Sequence, residues 1–146
     1  VWNSGSLVED TLIDQGNGYF NDGRSDNRGP EPEGVTYGFV GGKPYLFVSI
    51  ERGASVLMLD ISDVANPLLE DFIATDFTTG FERLNESEGI AFISASESGD
   101  GKAYLLISSE AGNFTSLVEL QVPEPAALGL MGLGVAGLVA LRRRRR

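Results

Sequence analysis

The chain contains neither cysteine nor histidine among its 146 residues. Without cysteine it can form no disulfide and no thiolate-ligated zinc or iron–sulfur site. Without histidine it cannot supply an imidazole base, a histidine-ligated metal, or a Ser-His-Asp or Cys-His catalytic set. Any chemistry carried by these residues therefore depends on carboxylates, Arg, Lys, Tyr or a bound hard cation.

Positive charge is scarce outside the last five positions. Those positions hold five of the eleven basic residues, which leaves six basic residues against 21 acidic ones in the rest of the chain. Nucleic acid phosphates repel such a body, so no nucleic acid partner is expected. The chain also has no initiator Met and no basic-then-apolar leader at Val1, and we therefore expect it to be part of a longer protein.

A long uncharged run occurs once, near the C-terminal end. Pro123, Glu124 and Pro125 are followed by sixteen uncharged, mostly apolar residues, which begin at Ala126 and end at Leu141. A basic stop follows, made of Arg142, Arg143, Arg144, Arg145 and Arg146. A helix over the run would reach about 24 Å at ~1.5 Å per residue. That is slightly short of the ~30 Å hydrocarbon core, and snorkelling arginines can extend the span.

The basic stop predicts the topology of the chain. Five arginines are costly to move through a bilayer and should stay on the cytoplasmic side, which places residues 1–121 on the far side. The alternative interpretation of the run is a short buried core helix. A core helix should be amphipathic, whereas this run is apolar all round, rich in glycine, and bounded by a proline-containing breaker and a charge cluster.

The motif, the apolar run and the basic stop, in this order, resemble the PEP-CTERM sorting signal. The resemblance implies that an exosortase recognises Pro123, Glu124 and Pro125. It also implies that the membrane segment and the basic stop are removed while the protein passes from the inner membrane to the cell surface or the extracellular matrix. The resemblance concerns the destination of the protein and implies nothing about its activity.

Two stretches of the body repeat one another. The pair Glu-Gly occurs at Glu33 and Glu88, and Gly-Lys-x-Tyr-Leu begins at Gly42 and again at Gly101. Ser-x-Glu-x-Gly also occurs twice, and the offset between copies is 55 residues at the first motif and 59 at the later ones. The repeats cover about residues 33–74 and 88–122. Their spacing suits a four-stranded propeller blade with long loops, which takes roughly 40–50 residues.

Within the repeats, short runs rich in Val, Ile, Leu, Phe and Tyr alternate with turn signals. They predict strands near residues 34–40, 44–50, 55–61, 69–74, 89–94, 103–109 and 116–122. Because residues 45–50 are nearly all apolar, we expect neighbouring sheets to cover both faces of that sheet.

The sequence therefore predicts an all-β fold, made of the C-terminal blades of a β-propeller-like domain and followed by a single C-terminal hydrophobic helix. Residues 1–122 form the propeller part, and residues 123–146 form the sorting and membrane segment. Two blades cannot close a ring, so further blades are expected upstream. The alternative is a single antiparallel sandwich whose two hairpins look alike.

The body also resembles a known family. The resemblance lies in the segment Gly-Arg-Ser-Asp-Asn-Arg-Gly-Pro-Glu-Pro-Glu-Gly-Val that begins at Gly23, in residues 45–53, and in Leu-Asp-Ile-Ser-Asp from Leu59 with Asn66 and Pro67. These features are similar to the choice-of-anchor I family over roughly residues 1–122. The resemblance implies a large secreted or surface propeller-like protein whose members carry different anchoring tails, PEP-CTERM among them. It implies no reaction.

Acidic residues cluster in the loop before the first predicted strand. Carboxylates in such a loop can hold Ca²⁺, which takes ~6–8 oxygen ligands, although their spacing matches no EF-hand. The candidate ligands are Asp22, Asp26, Glu31, Glu33 and Glu88. The alternative is that Arg24 and Arg28 pair with the loop acids and fix the loop between blades.

Two pairs of glutamates occupy equivalent repeat positions. Glu33 and Glu88 begin the first strand of each repeat, which would line a propeller channel, and Glu51 and Glu110 follow the second strand. Matching carboxylates could bind a cation, or act as acid and base if their pKa values differ. The plainer interpretation is that they cap strand ends or bond to exposed backbone groups.

These observations predict an exported, surface-anchored protein that is more plausibly a binding or structural component than an enzyme. Its expected partners are an exosortase, the membrane through the C-terminal segment, and an extracellular polysaccharide or protein. Ca²⁺ is the candidate cofactor. The alternative function is a calcium-dependent phosphoester hydrolase of the propeller type, which would need several carboxylates converging on bound cations.

Overall fold

The computed structural model describes residues 1–16, 18–74, 86–110 and 114–121. The chain begins with helix α1 (Leu7–Gln15) and a single 3-10 turn (Asp22–Arg24). The strands are β1 (Pro32–Val40), β2 (Lys43–Ile50), β3 (Ser55–Asp60), β4 (Leu68–Ala74), β5 (Ser87–Ile93), β6 (Ala103–Ser109) and β7 (Phe114–Leu120). All seven predicted strands are confirmed, with ends that differ by a few residues at most.

The predicted C-terminal helix lies outside the described residues, as do the sorting motif and the basic stop. Within the part of the chain that is described, no helix is both long enough and apolar enough to cross a bilayer.

The strands form two antiparallel sheets. The first sheet has the order β1-β2-β3-β4 and the second has the order β5-β6-β7. Gly41 and Gly42 connect β1 to β2 with φ values of 60° and 83°, and Val40 pairs with Lys43 across the turn. Two successive positive φ angles suit the twist of a tight hairpin, and glycine adopts them without a steric cost. The chain therefore makes a tight hairpin turn at this position.

The main core lies between the two sheets. Tyr45 and Phe47 of β2 are 1% and 0% exposed, and they pack with Leu105 and Ile107 of β6 in one apolar cluster. The rings of Phe47 and Phe92 stack with centroids 5.8 Å apart. Burial of these side chains, at ~25 cal/mol per Å² of apolar surface, is the main force that joins the sheets.

Helix α1 covers only part of the other face of the first sheet, on which Val35 and Tyr37 stay exposed, so the expectation that sheets cover both faces stays a prediction. Val8 and Leu12 of α1 pack against Ile50 and Leu57 in a second apolar cluster. The side chains around it that are partly buried are Tyr19, Phe20, Val48 and Phe72. A nine-residue helix is marginal in isolation, and packing of its apolar side onto the sheet stabilises it.

The two sheets share local features at equivalent positions. Each first strand has an irregular register just before its glycine, between Pro32 and Gly34 in β1 and between Ser87 and Gly89 in β5. Each sheet also has a lysine paired with an acid on the third strand. Lys43 Nζ lies 2.8 Å from Asp60, and Lys102 Nζ lies 2.7 Å from Glu119. The domain and repeat boundaries stay a prediction.

The sheets nevertheless turn non-equivalent faces toward each other. Phe92 points into the core and lies over Gly38 of the first sheet, where a Cβ atom would come within 2.2 Å of the Phe92 ring. The equivalent of Phe92, 55 residues earlier, is Tyr37, which is 68% exposed on the opposite face of β1. Because side chains alternate along a strand, the face of the second sheet that carries Phe92 packs against the face of the first sheet that is opposite to Tyr37. The two sheets therefore stack front to back: equivalent faces of both sheets point in the same direction.

Substitution of Gly38 tests this packing. Gly38→Ala should lower the free energy of unfolding by about 1–3 kcal/mol, since the new methyl group overlaps the Phe92 ring. Chemical denaturation of the full chain measures the change. In the Phe92→Ala background the same substitution should cost much less, and equal costs in both backgrounds would contradict the contact.

Candidate functional site

Six glutamates gather at the end of the two sheets where β1 and β5 begin. We call this set the glutamate cluster: Glu31, Glu33, Glu51, Glu86, Glu88 and Glu110. It contains three equivalent pairs, one just before the first strand, one in its irregular segment, and one just after the second strand. The structure thus brings together three of the predicted ligands, and it adds Glu86, which the sequence analysis did not single out.

Glu31 and Glu86 hold the same unusual backbone conformation. Their φ values are 55° and 54°, in a left-handed region that residues other than glycine rarely adopt. The Glu31 carbonyl accepts a hydrogen bond from the Glu51 N–H at 2.9 Å, and the Glu86 carbonyl accepts one from the Glu110 N–H at 3.1 Å. These bonds join main-chain groups and do not involve the glutamate side chains, so the predicted role of those side chains at strand ends stays a prediction.

Arg52 joins the two halves of the glutamate cluster. Its Nε donates to Glu31 at 2.8 Å, and one terminal nitrogen donates to Glu86 at 2.9 Å. The other terminal nitrogen lies 2.8 Å from Glu51. The Glu86 N–H also donates to the Glu51 carbonyl at 3.2 Å. One guanidinium thus contacts three carboxylates from both sheets, which a planar group with five donors can do.

The surroundings of Glu31 and Glu51 shift their pKa values in opposite directions. The hydrogen bond from Arg52 lowers the pKa of Glu31 despite its burial, with help from the charges of Arg24 and Arg28. Burial raises the pKa of Glu51, and the charges of neighbouring glutamates raise this pKa further. The charge of Arg52 lowers it, but the net shift is upward. Arg52 therefore neutralises Glu31 more effectively than it neutralises Glu51.

The half of the cluster in the second sheet has no arginine at the equivalent position. Ala111 follows Glu110 in the sequence where Arg52 follows Glu51. The charge of Glu110 raises the pKa of Glu88, and burial and a hydrogen bond to Glu110 raise it further. The charge of Glu33 adds to the same effect. Two carboxylates side by side disfavour double ionisation.

In the loop before β1, Arg24 and Arg28 pair with an acidic side chain, which is the alternative to a calcium site. Arg24 lies 3.0 Å from Glu31, and Arg28 contacts the same carboxylate at 3.5 Å. Asp22 and Asp26 are exposed, and Asp22 accepts a hydrogen bond from Ser25. Across residues 1–16, 18–74, 86–110 and 114–121, no three acidic side chains are placed to hold a metal ion. The described residues therefore lend the calcium-dependent hydrolase no support.

Two family models match the chain. Residues 1–64 match the choice-of-anchor I domain. Residues 121–145 match the PEP-CTERM protein-sorting motif. Comparison with curated proteins found no match, and comparison with solved structures found none either.

Both predicted resemblances are confirmed by these matches. The choice-of-anchor I match ends after β3, so it includes Glu31, Glu51 and Arg52 but not the second sheet. Together, the choice-of-anchor I domain and the PEP-CTERM motif indicate an exported protein that is anchored at the cell surface after processing by an exosortase.

Arg52 and Glu86 are the residues of the candidate site that the sequence analysis did not single out. Glu86 has a signal in the sequence, since it lies 55 residues after Glu31, the same offset as between the Glu-Gly motifs. Arg52 has no such signal, because its importance comes from the contact between sheets. A repeat alignment extended two residues upstream would therefore find Glu86 and miss Arg52.

The role of Arg52 can be tested by substitution. Arg52→Ala leaves three neighbouring carboxylates without their shared donor, so the unfolding midpoint of the full chain in urea should fall markedly. Arg28→Ala is the matched control because Arg28 is 70% exposed and lies 3.5 Å from Glu31, further than Arg52 does. Its midpoint should hardly change. Equal effects of the two substitutions would contradict the proposed role of Arg52.

The raised pKa of Glu88 predicts a pH dependence. A carboxyl whose folded-state pKa exceeds its unfolded value of 4.5 destabilises the fold once both states ionise. Glu88→Gln should therefore stabilise the protein at pH 7, and the gain should disappear as the pH falls below 4.5.

Asp60→Asn is the control of opposite sign for this prediction. The hydrogen bond from Lys43, with help from Ser62, lowers the pKa of Asp60 from 3.8 to about 2. Asp60→Asn should therefore destabilise the protein at pH 7, and its cost should shrink as the pH falls below 3.8. Urea denaturation across this pH range measures both effects. Stabilisation by Glu88→Gln that does not vary with pH would contradict the electrostatic explanation.

Proposed function

We propose that an exosortase processes this protein and that its propeller-like body then serves as a non-enzymatic binding or structural component of the cell surface or extracellular matrix. The observation that carries the proposal is the match of residues 121–145 to the PEP-CTERM motif. It is supported by the order of features in the sequence, in which Pro123, Glu124 and Pro125 precede an apolar run and a basic stop. In this proposal the apolar run spans the inner membrane and the arginines stay cytoplasmic.

The propeller-like arrangement is supported by the way the sheets stack. A symmetric sandwich would bury equivalent faces, whereas here equivalent residues such as Tyr37 and Phe92 lie on opposite faces. Front-to-back stacking can be repeated indefinitely, as it is around a propeller axis. Two exposed apolar side chains mark the face of the first sheet that another sheet would cover: Val35 and Tyr37. We therefore propose that further blades complete the stack.

A binding role is supported by the charge of the glutamate cluster. Arg52 compensates the carboxylates of one half, while Glu88 and Glu110 repel each other in the other half. A surface rich in carboxylates favours ligands with cationic groups, such as basic segments of matrix proteins or amino sugars. The absence of cysteine and histidine from the sequence limits the chemistry available for catalysis.

The sorting proposal is tested by replacing the motif. In a bacterium that contains an exosortase, the triple substitution Pro123→Ala, Glu124→Ala and Pro125→Ala should leave the chain full-length and in the inner-membrane fraction. The parent chain should lose its tail and reach the cell surface. Mass spectrometry of cell fractions distinguishes the two products.

Pro67→Ala, in an exposed loop of the body, is the matched control and should be processed like the parent chain. Equal processing of the triple variant and the parent would contradict the role of the motif.

A further inference from the structure

The body has two distinct ends, and the C-terminal tail leaves from one of them. The hairpin end consists of the turn at residues 41–42, the loop at 61–67 and the loop at 94–102. Strand β7 also ends there, since Leu120 pairs with Ala103 at the start of β6. The glutamate cluster lies at the opposite end. Between them lies β1, in which the distance from Glu33 to Val40 is about 23 Å at ~3.3 Å per residue.

The connection between the hairpin end and the apolar run is short. Five residues, 121–125, separate Leu120 from Ala126. A chain extends by at most ~3.3–3.6 Å per residue, so Leu120 can lie no further than about 22 Å from the start of the run. Whatever path these residues take, this length limits how far β7 can be from the membrane surface.

The hairpin end carries side chains that suit a membrane interface. Val64, Leu68 and Phe39 are 75%, 66% and 61% exposed there. Lys43 and Lys102 lie at the same end, about half exposed, and they pair with Asp60 and Glu119. The exposed apolar side chains are therefore the feature that suits this end to contact with a lipid interface.

A cleft of about 370 Å³ also opens at the hairpin end. Its lining includes Phe39, Lys102 and Gln121, the first residue of the matched sorting motif. The chain therefore leaves the body from the wall of this cleft, beside the exposed apolar side chains.

The opposite end is unsuited to such contact. Six glutamates gather at that end, and the salt bridges among the described residues pair three of them, Glu31, Glu51 and Glu86, with arginines. Anionic lipid headgroups repel a surface of this kind within roughly 10 Å, the screening length near physiological salt. The glutamate cluster is therefore disfavoured at the bilayer.

We propose that, while the tail is in the membrane, the hairpin end of the body faces the bilayer and contacts its headgroups. The glutamate cluster then points away from the membrane, toward ligands outside. This inference rests on the proposed function, because it requires that residues 126–141 enter the membrane. It assigns the surface that includes Phe39, Val64 and Leu68 to lipid contact rather than to ligand binding.

Energy transfer to labelled lipids tests the orientation. The chain lacks cysteine, so single cysteines give one label each. Val64→Cys and Ala95→Cys place a donor dye at the hairpin end, and Glu33→Cys and Glu88→Cys place it beside the glutamate cluster; all four positions are exposed. The full chain is reconstituted in phosphatidylethanolamine–phosphatidylglycerol vesicles that contain acceptor-labelled headgroups.

Transfer should be at least twofold greater from the hairpin-end positions than from the cluster positions. Equal transfer from both ends, or greater transfer from Glu33→Cys, would overturn the orientation while leaving membrane insertion intact. Co-sedimentation of the same samples with vesicles separates this result from failure of the proposed function. A chain that does not sediment with the vesicles refutes both the membrane role of the tail and the orientation that depends on it.

Discussion

The packing of Phe92 over Gly38 is the contact on which the arrangement of the two sheets depends. Any side chain at position 38 would overlap the ring, so the close approach of β1 and β5 requires glycine there. The stacking of Phe92 on Phe47 extends the same contact into the core. This approach also brings Glu86 within reach of Arg52 and the Glu86 N–H within reach of the Glu51 carbonyl. The polar contacts at the cluster therefore depend on the apolar packing.

Equivalent parts of the two sheets have become chemically different. Both repeats keep a glutamate with positive φ and a glutamate after the second strand, but Arg52 compensates the first set and Ala111 replaces it in the second. The salt bridges of Arg52 therefore join the two sheets at the first set, whereas in the second set the charge of Glu110 raises the pKa of Glu88. Residues held at a cost in stability are often retained for function, which fits a role of this surface in ligand binding.

Much of the fold follows from local patterns in the sequence. Strands appear where short β-branched and aromatic runs lie between turns, and the glycines at 41 and 42 mark a hairpin because few other residues adopt two positive φ values. Helix α1 was missed because its stability comes from packing against Ile50 and Leu57 rather than from its own nine residues. For the same reason, the sequence could not show which face of each sheet is buried.

The candidate site was predictable only in part. Glu33 and Glu88 are marked by the repeat, and the pairing of Glu31 with Arg24 and Arg28 was one of two interpretations of the loop. Arg52 could not be foreseen, since one of its partners is 34 residues away in the other sheet. Local spacing predicts contacts within a loop, whereas contacts between sheets depend on the register and stacking of the strands.

The central claim is that two equivalent sheets bury opposite faces, which gives the body an open apolar face and a charged end. Hydroxyl-radical footprinting of the full chain, read by mass spectrometry at two equivalent positions, tests it most directly. The account predicts strong modification of Tyr37, which is 68% exposed, and protection of Phe92 in the core. Similar modification of Tyr37 and Phe92, after correction for their intrinsic reactivities, would show that the sheets bury the same face and would contradict the account.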